Sequence, residues 1–493
     1  MKHGDLLAAF VAGGAAVLGY APFSLPVAFA PASLFALAVL VWLLRGPVSA
    51  GRAALLGGLW GLGFFLAGVS WVYVSMARFS GLPAWAAALA TLAFCAWLAV
   101  FPALASAAWT RLRRSRPRMS ALTFAACWTL AEWLRGSLLT GFPWLAAGYA
   151  HTPPSPLAGF APVAGVYGVG FAAALTAALL ARLTDADARG RALAGIATIA
   201  AAGALLMHMP WTAPSGAPIR VALLQGDVAQ DVKWNPDRLQ VSFDRYAGLA
   251  AAPGEAGAPP PELLVLPETA LPLMFDAVPR SYLSALAGQG ALLIGTAVRV
   301  DDGGYVNGAV AVSGERPPQV YAKRHLVPFG EYPPPGFRWF FEALRIPMSE
   351  FTAGAPQQPP LALAGQRIAP NICYEDLFGE ELIGALPQAT LLVNLSNTAW
   401  FGDSLAQPQH LQIARMRAME MGRDMLRATN SGITALVRPD GSVAAQLPPF
   451  RAARLDVPAQ GRTGLTPYAK WGNALILGIV ALLLAASAVP PRL

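Results

Sequence analysis

Charged residues are scarce in this chain of 493 residues: only 13% are Asp, Glu, Lys or Arg, while 55% are hydrophobic and the mean hydropathy is +0.48. This composition is too apolar for an ordinary water-soluble protein, so part of the chain must contact lipid. The apolar residues are unevenly distributed, because residues 1–209 and 472–489 hold most of them and residues 219–460 resemble a normal globular sequence. The sequence therefore predicts two physical environments.

Eight apolar runs approach the length of about 20 residues that a helix needs to cross a bilayer. They lie near residues 6–22, 26–44, 53–76, 84–108, 119–134, 160–181, 192–209 and 472–489. The first run resembles a secretory signal, but we interpret it as a retained helix because six more runs follow it closely. The predicted fold is a polytopic α-helical membrane domain of about eight helices plus an α/β domain. The predicted bounds are 1–210 (about seven helices), 219–460 (α/β domain) and 472–489 (last helix).

Lys and Arg residues in the short loops predict the orientation in the membrane. If the N-terminus is cytoplasmic, twelve of them lie in inside loops and only Arg78 and Arg135 lie in outside loops. The twelve are Lys2, Arg45, Arg52, Arg111, Arg113, Arg114, Arg116, Arg118, Arg182, Arg189, Arg191 and Arg492. Seven spans then place residues 210–471 outside the cytoplasm, with both termini inside. These loops explain most of the net charge of +8, so we expect no nucleic-acid binding.

Cysteine is rare, and Cys373 is the only one of three in the predicted outer domain. Thiols outside the cytoplasm usually pair, but a lone cysteine cannot form a disulfide within its domain. Cys373 is therefore either an inert packed thiol or a reactive group. The outer domain has only two histidines, His325 and His410, with no third ligand and no HExxH pattern, so we predict no catalytic metal.

Short β-rich runs alternate with helical stretches between residues 219 and 449, which predicts an α/β domain with well-buried strands. Three of these runs end in polar residues, at Glu268, at Cys373–Glu375 and at Asn394–Asn397. Sites often form where strands reach their carboxyl ends, so the three ends are expected to share one pocket. Residues 406–428 are predicted to form one helix.

A nucleophilic cysteine needs a base to remove its proton and a cation or a backbone N–H to stabilise the oxyanion. Glu268 and Lys323 are candidates for these two roles, and His325 is an alternative base. Spacing along the chain does not choose among them. A surface ion pair is the alternative interpretation of Lys323 and Glu331.

The ordered segments "LPETA", "YAKRHLVPFGEY" and "NICYEDLFG" resemble the glutamate, lysine and cysteine triad of the nitrilase superfamily, whose domain is a four-layer αββα sandwich. With the apolar runs on both sides, the whole chain is similar to the apolipoprotein N-acyltransferase family of bacterial inner-membrane enzymes. The resemblance implies that Glu268 is the general base, Lys323 the oxyanion-stabilising cation and Cys373 the nucleophile.

Supporting residues are also implied. Glu331 resembles a glutamate that orients the lysine, Tyr374 and Glu375 match positions needed for activity, and Trp234 in "DVKWNPD" matches a tryptophan near the lipid entrance. Asn397, at the third polar strand end, is a further candidate for substrate contact. One position departs from the family pattern, because the segment "SNTAWFG" has Thr398 where an aspartate is expected.

The reaction implied by the resemblance is ping-pong acyl transfer. An acyl chain, expected to be the sn-1 chain of phosphatidylethanolamine, passes to Cys373 as a thioester and then to the α-amino group of a lipoprotein's diacylglyceryl-cysteine. The implied partners are a phospholipid donor, this lipoprotein acceptor and the bilayer. We expect no cofactor, a monomer, and a catalytic domain on the periplasmic side of the bacterial inner membrane.

Two other functions fit part of the sequence. The first is a membrane-anchored amidase of the nitrilase type, for which eight spans would be unnecessary. The second is a transporter whose outer domain binds ligand, but Glu132 is the main ionisable residue expected within the spans. Glu132 itself is either functional or paired with Arg135, which lies one helical turn further on.

Overall fold

The computed structural model describes residues 3–23, 31–113, 115, 117–233, 236–254, 259–301, 303–336, 338 and 350–489. The chain separates into two compact units. One, the helical unit, comprises Met1–Arg78, Leu82–Pro210 and Lys470–Leu493. The other, the sheet unit, comprises Phe79–Gly81 and Trp211–Ala469.

Apolar helices make up most of the helical unit. Its α-helices are His3–Ala16, Ala32–Leu44, Ala50–Val69, Val72–Phe79, Ala84–Leu112, Ser120–Ser137, Ala161–Ala181, Ala186–Met207 and Ala474–Ala488. Among the described residues, four helical stretches are long and apolar enough to cross a membrane: Ala50–Val69, Ala84–Leu112, Pro156–Thr184 and Ala186–Met207. Gly4–Gly19, Ala32–Leu44 and Ala474–Ala488 are apolar but shorter.

The expected count of about eight spanning helices is therefore not confirmed, since four described helices reach the required length and composition. The run predicted at 53–76 is divided, because one helix ends at Val69 and the next begins at Val72. Residues 24–30, at the start of the second predicted run, lie outside the described residues.

Glu132 and Arg135 do not pair with each other among the described ion pairs; each binds the backbone of the segment that follows their helix. Glu132 Oε1 accepts a hydrogen bond from the N–H of Ala147 at 2.9 Å. Arg135 donates to the carbonyl oxygens of Phe142 and Trp144 at 2.5 and 2.7 Å. The described residues therefore show no direct ion pair between the two side chains, because unpaired backbone groups of an irregular segment offer both of them partners.

The described residues of the sheet unit contain fourteen strands. They are β1 Ala213–Pro214, β2 Ile219–Gln225, β3 Leu263–Leu266, β4 Ala291–Arg299, β5 Tyr305–Ser313, β6 Gln319–Ala322, β7 Leu361–Leu363, β8 Gln366–Ile372, β9 Leu391–Ser396, β10 Met425–Thr429, β11 Ala435–Val437, β12 Val443–Gln446, β13 Ala453–Ala459 and β14 Arg462–Thr463. Its helices include Gln230–Lys233, Leu239–Ala251, Arg280–Ala287, Gly379–Leu382, Ala406–Met421 and Pro467–Trp471.

Twelve of the strands build two sheets of six with the same plan. The first sheet has the order β13-β2-β3-β4-β5-β6 and the second the order β7-β8-β9-β10-β11-β12, while β1 and β14 pair separately. In each sheet three parallel strands in chain order lie beside an antiparallel edge strand and are followed by two antiparallel strands. The central strands are buried on both faces, which explains their nearly continuous apolar sequences.

The two sheets pack face to face. Their shared core contains Leu223 and Val265 from the first sheet and Val393 and Leu395 from the second. On the outer face of the first sheet lie side chains from the helices Leu239–Ala251 and Arg280–Ala287, and on that of the second lie side chains from Ala406–Met421. The order of layers is therefore helix, sheet, sheet, helix.

The helix predicted at 406–428 is shorter than expected, since it ends at Met421 and residues Met425–Thr429 form β10. Gly422 ends it with a left-handed backbone (φ 62°), a conformation that glycine adopts without steric cost. A Cβ at this position would lie 2.5 Å from Thr212 Cγ2. Periodicity alone could not separate the apolar end of the helix from the apolar strand after it.

Candidate active site

Cys373 lies directly after β8, as the first residue of the 3₁₀ turn Cys373–Leu377. Its φ of 53° is in the left-handed region, which non-glycine residues rarely adopt and which often marks a functional position. Burial raises the pKa of the thiol, and Glu268 raises it further, whereas Lys323 and the backbone N–H of Asn397 oppose the rise. The resting sulfur is therefore a thiol that needs a base, and it interacts electrostatically with both a carboxylate and an ammonium group.

Glu268 lies two residues after β3 and is 7% exposed. Its Oε1 accepts a hydrogen bond from Asn307 Nδ2 at 2.8 Å, and its Oε2 accepts one from the backbone N–H of Asn397 at 2.9 Å. Gly295 on β4 allows this close packing, because a Cβ there would lie 2.6 Å from Glu268 Cα. The carboxylate is thus held by donors from both sheets.

Lys323 extends β6 by one residue, with its backbone N–H donating to the Asn307 carbonyl oxygen at 2.7 Å. Its Nζ donates to Glu331 at 2.9 Å and lies 3.5 Å from Glu268 Oε1. The side chain is 1% exposed, so the alternative of a surface ion pair is wrong. Burial alone would lower the pKa of Lys323, but Glu331 and then Glu268 outweigh it and raise the pKa, which keeps the amine charged.

Glu375 connects the nucleophile to the segment that carries the lysine. Its Oε2 accepts from the N–H of Ile372 at 2.6 Å, next to Cys373. Its Oε1 accepts from the N–H of Arg324 at 2.6 Å, next to Lys323, and from Tyr321 Oη at 2.9 Å. Burial raises the pKa of Glu375 to about 7, although Lys323 and the backbone donors lower it. One buried carboxyl group therefore fixes the spacing between two candidate catalytic residues.

The histidine alternatives have other partners. His325 Nδ1 lies 3.0 Å from Glu381 Oε1, and its ring stacks on Phe378 with centroids 3.6 Å apart. The Tyr374 ring lies 5.6 Å from that of His325. His410 contacts Cys373 through the backbone carbonyl oxygen, at 3.3 Å.

The remaining candidates lie close to this group or outside the description. Asn397 follows β9 and contacts Glu268 through its backbone N–H, while its Oδ1 accepts from Asn430 Nδ2 at 3.1 Å. Thr398 is fully buried. Trp234 lies outside the described residues. Among the described residues, no group of three or more His, Cys, Asp or Glu side chains is arranged to hold a metal ion.

Two residues of the site were not predicted from the sequence. Asn307 donates to both Glu268 and Glu331 at 2.8 Å, and the signal for it was an amide within the buried strand β5. Lys233 is 1% exposed, and its Nζ lies 3.5 Å from the carbonyl oxygen of Glu268. Burial lowers the pKa of Lys233 to about 7, with Glu268 opposing the change. Only its position beside Trp234 pointed to it.

Comparisons with known proteins identify the family of this chain. Residues 12–179 match the family model described as the apolipoprotein N-acyltransferase N-terminal domain, and residues 220–457 match that of carbon-nitrogen hydrolase. The chain is 47% identical to an apolipoprotein N-acyltransferase of Nitrosomonas europaea, over 98% of this chain and 97% of that protein. This chain belongs to the apolipoprotein N-acyltransferase family. Family members from Chromobacterium violaceum (47% identity; 98% and 93% coverage) and Ralstonia nicotianae (46%; 94% and 90%) are similar along nearly the same length.

Proposed function

We propose that this chain is an apolipoprotein N-acyltransferase that uses Cys373 as its nucleophile, Glu268 as its general base and Lys323 as its oxyanion-stabilising cation. Family membership over nearly the whole chain supports the reaction. The observation that carries the residue assignment is the buried contact of Lys323 Nζ with Glu268 Oε1 at 3.5 Å, together with Glu375, which binds the backbone next to Lys323 and next to Cys373. Glu331 and Asn307 orient these two groups, and Glu375 sets their spacing from the thiol.

In the first half-reaction, Glu268 takes the proton of the Cys373 thiol as the sulfur attacks the ester carbonyl carbon of a phospholipid. A carbon–sulfur bond forms, and the carbonyl oxygen becomes an oxyanion. Two of the ammonium hydrogens of Lys323 have carboxylate acceptors nearby, so the third is available to the oxyanion. The ester carbon–oxygen bond then breaks, and Glu268 returns the proton to the glycerol oxygen of the departing lysophospholipid.

In the second half-reaction, the α-amino group of the lipoprotein's diacylglyceryl-cysteine attacks the thioester. Glu268 accepts a proton from the attacking amine, a carbon–nitrogen bond forms, and the carbon–sulfur bond breaks. The sulfur recovers its proton as the amide product leaves. One group thus serves as base and acid in alternate steps, as in other ping-pong reactions.

The apolar helices have a physical purpose in this reaction. Moving an acyl chain from lipid into water costs about 0.8 kcal/mol per CH₂, so the transfer has to occur at a membrane surface. The proposed organisation is a membrane domain of residues 1–210 and 472–489 and a periplasmic catalytic domain of residues 219–460, with both termini cytoplasmic. The donor is proposed to be the sn-1 chain of phosphatidylethanolamine, and the enzyme is proposed to act as a monomer without a cofactor or nucleic acid.

A turnover assay tests this function. Purified full-length protein in phosphatidylethanolamine nanodiscs should convert a diacylglyceryl-cysteine peptide into its N-acyl form and release one lysophospholipid per product. Without peptide, lysophospholipid release should stop after about one equivalent, since acyl transfer then lacks its acceptor. Continuous release of free fatty acid in place of N-acyl peptide would show that water is the acceptor and would favour the amidase alternative.

A further inference from the structure

A row of polar side chains crosses the second sheet at one level. Asn371 on β8, Asn394 on β9 and Arg427 on β10 are register partners, and all three are fully buried. Alternate residues of a strand point to the same face, and Asn394 and Arg427 lie two residues after Leu392 and Met425. Those two residues belong to the core between this sheet and the helix Ala406–Met421. The row is therefore on the helix side of the sheet, behind the core that joins the two sheets.

Two more buried groups complete this backing network, defined as Asn371, Asp376, Asn394, His410 and Arg427. Asp376 Oδ1 accepts from His410 Nε2 at 2.8 Å, and Asp376 Oδ2 accepts from Arg427 Nη1 at 3.1 Å. Arg427 Nη1 also donates to Asn394 Oδ1 at 2.9 Å, and Asn394 Nδ2 donates to Asn371 Oδ1 at 2.6 Å. The contacts form one connected chain from helix to strands.

The network ends on the backbone of the nucleophile. The carbonyl oxygen of Cys373 lies 3.3 Å from His410 Nε2 and 3.4 Å from Asn394 Nδ2. Both atoms that face His410 Nε2, Asp376 Oδ1 and this carbonyl oxygen, are acceptors, so Nε2 carries the hydrogen. Burial lowers the pKa of His410, as does Arg427, which favours the neutral imidazole with its hydrogen on Nε2.

The direction of the Cys373 side chain depends on a backbone conformation that is unfavourable for a residue with a Cβ. Donors on its carbonyl oxygen hold that peptide group in place. We propose that His410, Asp376, Arg427 and Asn394 are positioning residues that fix the left-handed backbone of Cys373 and so aim its sulfur at Glu268 and Lys323. This inference rests on the proposed function for its kinetic consequence. Buried charges are costly and add little net stability, which favours a geometric role for this network.

A second ion pair, beside the same sheet and with a buried carboxylate, provides a control. Asp424, which precedes β10, is 1% exposed in its side chain and pairs with Arg438 at 2.5 Å. Its carboxylate also accepts from the N–H of Gln460 at 2.9 Å. Asp424→Asn therefore disturbs a buried carboxylate beside the same sheet whose hydrogen bonds come from Arg438 and Gln460 and not from the backing network.

The decisive variants are His410→Phe, which keeps a ring but loses the donor, and His410→Gln, whose amide nitrogen can reach the Nε2 position. His410→Phe should lower kcat for acyl transfer about 10- to 100-fold, because small misplacements of reacting groups cost this much. The KM for phospholipid should stay near its wild-type value, and the pH profile of Cys373 alkylation should shift. His410→Gln should recover most of the activity and of the profile, and Asp424→Asn should change neither.

A folded His410→Phe protein with wild-type kcat and a wild-type alkylation profile would overturn the proposal. Equal losses in His410→Phe and Asp424→Asn would also contradict it, because they would indicate general damage to the sheet. If His410→Phe does not fold, Asn394→Ala removes the other donor to the carbonyl oxygen and decides by the same two readouts. If the wild-type protein forms no acyl thioester at all, the proposed function fails, whereas the alkylation profiles still test the positioning role.

Discussion

The two sheets of the sheet unit share one strand order but contribute different chemistry to the site. The first sheet supplies the charged groups Glu268, after β3, and Lys323, after β6, and the neutral amide of Asn307 on β5. The second supplies the nucleophile after β8, together with the polar network behind it. Topology alone therefore does not determine the role of a strand end, and the reactive geometry depends on how the two sheets pack.

Each sheet also buries one cation near Cys373, and the two cations differ in what they contact. Lys323 donates to the carboxylate of Glu331 and lies 3.5 Å from that of Glu268. Arg427 contacts Asp376 and Asn394, which lead to the backbone of Cys373. We expect Lys323 to act on the charge that develops at the reacting atoms, and Arg427 to act on the position of the Cys373 backbone. The following predictions test this division, in order of decreasing effect.

The largest effect is expected for Glu268→Gln, which removes the proposed base. Formation of the acyl-enzyme should slow by about 10²- to 10⁴-fold, the usual contribution of general acid–base catalysis. Alkylation of Cys373 by iodoacetamide at fixed pH should become faster, because Glu268 raises the pKa of the thiol and its loss populates the thiolate. Rapid-quench mass spectrometry measures the first rate, and Glu262→Gln, at the exposed start of β3, is the control. Acyl-enzyme formation at the wild-type rate in Glu268→Gln would contradict the role of Glu268 as base.

Lys323→Met should slow acyl-enzyme formation by about 10²- to 10³-fold, the cost of losing one oxyanion donor. Here thiol alkylation should slow as well, because Lys323 lowers the pKa of Cys373.

In wild-type protein the raised pKa keeps the thiol protonated, so the alkylation rate should rise with pH through the usual thiol range without reaching a plateau. A plateau below pH about 8.5, the ordinary thiol pKa, would show that the resting sulfur is already a thiolate.

A pair of leucines on β9 tests the contribution of sheet packing. Leu395 faces the core between the sheets, and Leu392 faces the helix layer; both are fully buried. Leu395→Ala and Leu392→Ala should each cost about 2–5 kcal/mol of stability. Only Leu395→Ala should also lower the rate of acyl-enzyme formation, because the two halves of the site lie on different sheets. Thermal unfolding and single-turnover rates, measured on both variants, check this; equal rates would contradict it.

The smallest effect is expected at Thr398. Its side chain is fully buried, and Oγ1 has no hydrogen-bond partner among the described residues. Thr398→Val should therefore leave activity unchanged and stability equal or slightly higher, since an unsatisfied buried hydroxyl is lost. Thr398→Asp should destabilise the protein, because a carboxylate would be buried at a position that lacks a partner. Activity and unfolding measurements on both variants decide whether this position has a catalytic role.

Family resemblance, together with the polar residues at three strand ends, was enough to select the candidate triad. The sequence also predicted β-rich segments of the sheet unit; "IRVALLQ", for example, corresponds to β2. The strand prediction is confirmed because buried strands have continuous apolar sequences. The helix at 406–428 was too long in the sequence analysis because apolar residues continue past Gly422 into β10.

Contacts across the fold were not readable from local patterns. Asn307 and Lys233 are single polar residues in apolar or irregular segments, and their roles depend on a neighbour far along the chain. Local patterns did not predict the backing network for the same reason: Asp376, His410 and Arg427 lie in a turn, a helix and a strand that are separate in the sequence. The number of spanning helices is not confirmed, and an apolar run in the sequence does not reveal where a helix breaks, as one does between Val69 and Val72.

The most direct measurement is the intact mass and peptide map of the full-length protein after incubation with phosphatidylethanolamine in the absence of an acceptor. One acyl chain should be found on the peptide that contains Cys373, removable by neutral hydroxylamine as a thioester, with one lysophospholipid released. The adduct should be absent from Cys373→Ala. Turnover of phospholipid with an unmodified Cys373, or an acyl chain bound to Cys95 or Cys127 in its place, would contradict the account.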